Sequence, residues 1–130
     1  MNNGATARKW IEFVARRPEF SAGEALLEQF ENGRLTRVCG CGCNSFDFSI
    51  AANAVVPQLA SKGQSAGASF TMEVETMQPS GVLGFVLFTD AMGNLAGLDV
   101  HFNANSEPVP ENVQLVAKPF HAYGELATNA

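Results

Sequence analysis

The chain has 130 residues, 46% hydrophobic and 16% charged, with a formal net charge of −5; that is one domain's worth of chain, 1–130, able to bury a core without disulfides or metal. Its longest apolar run, Val82 to Phe88, is far too short to span a bilayer, so no membrane association is expected. Residues 1–37 carry six basic and five acidic side chains and residues 38–130 two basic and eight acidic, so the body repels a phosphate backbone and nucleic acid is not an expected partner.

From Thr6 to Arg17 the residues Trp10, Phe13 and Val14 recur at helical spacing, and Pro18 ends the segment. Arg8, Lys9, Arg16 and Arg17 form a small basic patch that reads as a solvated helix face. A second helix is signalled by Ser21 and Glu24 in capping-box spacing, with Ala22, Leu26, Leu27 and Phe30 as its buried stripe and Asn32-Gly33 as a left-handed stop.

After Gly33 the period changes to two. Leu35 to Val38 lead in, and Phe46, Phe48 and Ile50 alternate with Asp47 and Ser49, a half-buried strand interrupted by Gly40 and Gly42. A loop follows from about Ala51 to Gly67, although Ala54 to Val56 could extend the strand. Phe70, Met72 and Val74 alternate with Thr71, Glu73 and Glu75 in a one-face-in strand, which turns at Gln78-Pro79-Ser80-Gly81. Val82 to Thr89 is apolar on both sides, which predicts a central strand covered on both faces. Asp90 to Asn94 closes a hairpin onto Leu95 to Phe102, with Leu98, Val100 and Phe102 on one side and Asp99 and His101 on the other. The tail from Asn103 is expected to wrap irregularly, anchored by Val113, Leu115 and Phe120. Helices followed by a strand meander give an α+β domain: two short N-terminal helices packed on one face of an antiparallel sheet of about four strands.

All three cysteines, Cys39, Cys41 and Cys43, fall within five residues. On a regular strand residues four apart lie about 13 Å apart, so sharing one ion through Cys–metal bonds of roughly 2.3 Å requires the chain to fold at Gly40 and Gly42. A fourth ligand would come from His101, His121, Asp99 or solvent, and zinc is the metal considered; the leading expectation is no cofactor. The alternation that Val38 begins favours a strand running through the glycines, and positive φ at either would overturn that. A nucleophilic or redox thiol is a second reading, for which the sequence assigns no base. By parity Asp47, Glu73, Glu75, Asp99 and His101 share the outward side, an acidic face if their strands are neighbours; it reads as a solvated face, with a cation or basic-partner site as the competing reading.

The run Arg37-Val-Cys-Gly-Cys-Gly-Cys-Asn-Ser-Phe-Asp-Phe, the later Gly93-Asn-Leu-Ala-Gly-Leu-Asp-Val and the Glu107-Pro-Val-Pro segment resemble a group of small bacterial proteins. These carry a C-G-C-G-C-x-S/T stretch, a G-x-L-x-G-L-E-V strand and a proline-containing tail. The resemblance covers Arg37 to Pro110, with Asp99 where such proteins have Glu. It implies a cytoplasmic bacterial protein of unassigned function, and adds no catalytic residue.

The N-terminal MNNGATARKW lacks an apolar run leading to a cleavage site, which also points to a reducing cytoplasm and thiols. No complete catalytic constellation is present. The reading is therefore a non-enzymatic binding or interaction module, of the kind that toxin-neutralising immunity proteins represent, with a protein partner and a homodimer as the cover for the second face of Val82 to Phe88. The alternative is a metal-binding or thiol site centred on Cys39, Cys41 and Cys43.

Overall fold

The structure is a computed structural model that describes residues 3–59, 67–116, 118–119 and 121–128. Helix α1 spans Gly4–Ala15 and begins at Asn3, whose side chain accepts a hydrogen bond from the Thr6 amide at 3.0 Å and so satisfies one of the first-turn donors. Helix α2 spans Gly23–Glu31. Ser21 does not cap it: Ala22 holds that position, and the Ser21 amide and hydroxyl both donate to the Leu126 carbonyl, at 2.8 and 2.7 Å. The capping-box spacing is met in sequence, but the tail competes for the hydroxyl and wins it. Nor does Asn32-Gly33 make a left-handed stop. Asn32 has φ −114° and its side chain donates to the Glu28 carbonyl at 2.8 Å. Gly33 is required by packing instead, because a Cβ there would lie 2.3 Å from the Ser49 carbonyl oxygen and 2.5 Å from the Phe48 ring.

The strands are β1 Gly33–Val38, β2 Phe46–Ile50, β3 Gly67–Gln78, β4 Gly81–Thr89, β5 Leu95–Phe102, β6 Gln114–Leu115 and β7 His121–Tyr123. Among the described residues they form one antiparallel sheet of seven strands in the order β1-β2-β5-β4-β3-β6, with β7 also on β3. The sequence suggested about four. The strand expected to run through the cysteines is two strands of a hairpin, Val38 opposite Phe46 and Gly33 opposite Ile50. The tail, expected to be irregular, adds β6 and β7, whose two and three residues are too short for periodicity to show. Val113 and Leu115 are half-buried against the core as expected, whereas Phe120 lies outside the described residues. Ala54 to Val56 form no strand, and Val55 is almost fully exposed.

Both helices pack on the inner face of the sheet. Trp10 meets the Phe85 ring edge-on at 5.4 Å, Phe13 stacks on Phe85 at 5.4 Å, and Phe30 stacks on Phe48 at 5.1 Å; each buried ring contributes roughly 1.5–3 kcal/mol by leaving water. Leu83, Phe85 and Leu87 of the central strand β4 are completely buried, while its outward Val82, Val86 and Phe88 are only half-buried. The cover expected on that second face is not supplied by any element among the described residues.

Candidate metal centre

The β1–β2 loop, Cys39 to Ser45, carries the three thiols. Its ends are tied by the Cys39 amide donating to the Ser45 carbonyl at 3.0 Å, and the Asn44 amide continues toward β5 by donating to the Val100 carbonyl at 3.0 Å. Between them Gly42 sits at φ +102°, in the region that favours glycine. The tail holds the loop there. Val109 donates to the Gly42 carbonyl at 3.0 Å, and a Cβ on Gly42 would lie 3.2 Å from the Pro108 side chain. The flat strand favoured on parity is thereby overturned, because a left-handed glycine reverses the chain where alternation could not register it.

Folding brings the thiols together. The three sulfurs all lie within 4.8 Å of one another, with Cys41 and Cys43 at 3.1 Å, against the ~13 Å that a flat strand would impose between its outer two. They form no disulfide. Cys43 is buried, Cys39 half-buried and Cys41 exposed. Cys39 is pushed up to about 11, chiefly because its thiol hydrogen bonds to Cys41 and then to Cys43. Cys41 is pulled down to about 7 by the same hydrogen bond from Cys39, helped by the Cys43 amide. Without metal, therefore, the cluster concentrates its first negative charge on the exposed sulfur. The Arg37 guanidinium, itself bound to Asp47 at 3.0 Å, adds a cation beside Cys39.

A cleft of about 360 Å³ opens between the loop and the Pro108, Val109 and Glu111 segment, bordered by Cys39 and Cys43. Gly40 also borders it, and a Cβ there would meet nothing within 4 Å. A cluster of three thiols with room beside it is a group that could hold a metal ion.

Among the described residues no histidine or carboxylate joins the sulfurs. His101 is instead 3.3 Å from the Ser45 hydroxyl, which also accepts the Val100 amide at 3.0 Å. His121 pairs with Glu73 at 2.6 Å. Asp47, Glu73, Glu75, Asp99 and His101 do share the outer face of the sheet, but not as one cluster. Asp47 and Asp99 lie on the adjacent strands β2 and β5, whereas β4, with Val82, Gly84 and Val86, separates them from Glu73 and Glu75 on β3. Glu111 is the site-bordering residue that sequence reasoning missed, and His121, considered there as a fourth ligand, is instead held on β3 by Glu73. Glu111 lies in the tail, where no periodicity signals its approach to the loop.

No helix among the described residues is long and apolar enough to cross a membrane. Comparison with protein-family models, with curated proteins and with solved structures found no match to this chain.

Proposed function

We propose that this protein binds a metal ion, zinc, through the thiolates of Cys39, Cys41 and Cys43. One observation carries the reading: a loop folded at Gly42 and clamped by the tail gathers three sulfurs to within 4.8 Å of each other. Zinc–thiolate bonds of about 2.3 Å put the sulfurs of a tetrahedral centre roughly 3.8 Å apart, so the Cys41–Cys43 pair, at 3.1 Å, opens slightly and the wider separations, at most 4.8 Å, close slightly. The cleft beside Cys39 and Cys43 is bordered by Glu111, so solvent or the Glu111 carboxylate would complete the shell. Thiol–thiol hydrogen bonds are weak, so stability alone gives little reason to gather three cysteines.

Elemental analysis of the purified protein, with thiol titration before and after chelation, tests this. About one zinc per chain is expected, with thiols that become reactive only after chelation, and Cys43→Ser should lose the metal. Protein without metal, whose three thiols titrate at once and which takes up no added zinc, would sink the reading.

The half-buried Val82, Val86 and Phe88, flanked by Asp99 and Glu75, support a second reading: a non-enzymatic interaction module that meets its partner, or a second copy of the chain, on the outer face of the sheet. Sedimentation of a monomer at micromolar concentration would remove the homodimer.

A further inference from the structure

Gly84 is a glycine whose presence neither backbone nor packing demands. It lies inside the central strand β4, where glycine weakens pairing and where its usual explanation is close approach by something else. Its φ is not positive, and a Cβ would meet Glu73 Cγ and the His101 carbonyl oxygen no closer than 3.9 Å. Gly81 and Gly97 differ, since a Cβ on them would come within 2.6 and 2.7 Å of neighbouring atoms. A side chain at Gly84 would therefore make only ordinary contacts with its neighbours.

The register sets His101, Gly84 and Glu73 side by side across β5, β4 and β3, so the two outer residues stand roughly 10 Å apart at Cα. Between them lies a depression of about 230 Å³ with Thr71, Val82, Val86 and Tyr123 around it, somewhat smaller than the ~300 Å³ at which drug-sized sites begin. Its charged wall is the Glu73 carboxylate, which His121 holds at 2.6 Å, and the Tyr123 ring lies 5.5 Å from the His121 ring. Among the described residues no Lys or Arg lines it. Asp99 and Glu75, opposite Val86 and Val82 in register, add negative potential on the same face.

We propose that this depression binds a small amine with a flat apolar body: the ammonium meets Glu73 and the Tyr123 ring face, and the apolar body lies on Gly84 between Val82 and Val86. The charge selects a cation, and the missing side chain supplies the floor.

Phenethylamine, with phenethyl alcohol and phenylacetate as its neutral and anionic counterparts, can be titrated into the full chain, following the two histidine imidazole resonances and the heat of binding. The amine is expected to bind at millimolar concentration or tighter, the alcohol about tenfold more weakly and the carboxylate not at all. Glu73→Gln should weaken the amine about tenfold. Gly84→Val should abolish binding with a thermal midpoint at or above that of the unaltered chain, because valine suits a strand better than glycine; if that variant does not fold, Gly84→Ala is read for the same weakening. An amine that fails to bind or binds no better than the alcohol overturns the proposal. So does a Gly84→Ala variant that binds as well as the original chain.

Discussion

The two hairpin loops toward opposite ends of β5 solve the same backbone problem with different chemistry. In the β4–β5 turn, Asp90 accepts the Met92 and Asn94 amides at 2.9 and 3.0 Å, and Gly93 takes φ +81°. That turn is then locked from behind. Gln29, completely buried, donates to the Pro57 carbonyl and the Asn94 side chain at 2.7 and 2.9 Å and accepts the Leu95 amide at 2.6 Å. In the β1–β2 loop Gly42 supplies the left-handed residue and the tail supplies the clamp, but the side chains are thiols bonded to one another. One loop has polar groups matched to strong partners; the other keeps three weak donors in reserve. Hydrogen-bond stability accounts for the first loop, whereas the second fits the proposed metal site.

The contrast breaks most easily at Gln29. Gln29→Ala leaves the Leu95 amide without its partner and opens a cavity behind the turn, so a loss of about 3 kcal/mol is expected in denaturant melts. Replacing all three cysteines by serine should cost the metal-free protein less than about 1.5 kcal/mol, mostly from placing a hydroxyl at buried Cys43. Comparable losses for the two changes would mean that the thiol loop is a structural element like the turn.

Gly42→Ala and Gly93→Ala probe the shared part of the design. Each forces alanine into the left-handed region, at about 1–3 kcal/mol, and Gly42→Ala also presses on Pro108, 3.2 Å from the new Cβ. The two should separate in zinc retention: Gly42→Ala releases metal at lower chelator concentration, and Gly93→Ala leaves it unchanged. Equal zinc retention in both would detach the folded loop from metal binding.

Protons compete with metal for the same sulfurs, which sharpens the comparison through pH. Cys41 is lowered to about 7 from an ordinary 9.0, so its contribution to the metal-free fold is present above pH 9 and is lost as pH falls through about 7. Cys39 is raised to about 11, so its contribution is present below pH 9 and is lost as pH rises through about 11. In chelated protein one thiol should alkylate with a midpoint near 7, and Cys41→Ser should remove that phase. Zinc affinity should fall as pH drops through the same range, because binding must displace the thiol protons. A single alkylation phase near the ordinary thiol value would mean that the sulfurs do not interact.

The β4–β5 turn was readable in the sequence because its code is local: Asp90, Gly93 and Asn94 state the turn within five residues, between an apolar run and an alternating one. The thiol loop was not, because Val38, Phe46, Phe48 and Ile50 keep the same parity whether the chain runs straight or doubles back. What fixes the fold there is Pro108 and Val109, some seventy residues away, and parity carries no trace of them. The outward set Asp47, Glu73, Glu75, Asp99 and His101 was legible from alternation alone. The strand order that divides it was not, since β4 lies between β5 and β3 only through long-range pairing. Ser21 shows the same limit within a helix start, where a local motif gave way to a carbonyl from the tail.

The smallest effect is expected at Gly40. Its φ lies outside the positive region and a Cβ there meets nothing within 4 Å, so neither of the reasons that hold Gly42 and Gly93 applies. Gly40→Ala should change metal-free stability by less than about 0.5 kcal/mol, and the sign can be favourable because alanine narrows the unfolded ensemble. Yet Gly40 borders the cleft beside Cys39 and Cys43, on which the proposed ion's fourth position would open. If the loop closes around an ion, the added methyl has to move with the backbone between Cys39 and Cys41, and zinc release to a chelator should become easier although the metal-free melt is unchanged. Melts with and without chelator on one preparation separate the two quantities. A metal-free loss above about 1 kcal/mol would show that the loop already needs glycine at this position, and an unchanged chelator midpoint would show that it does not tighten on the ion.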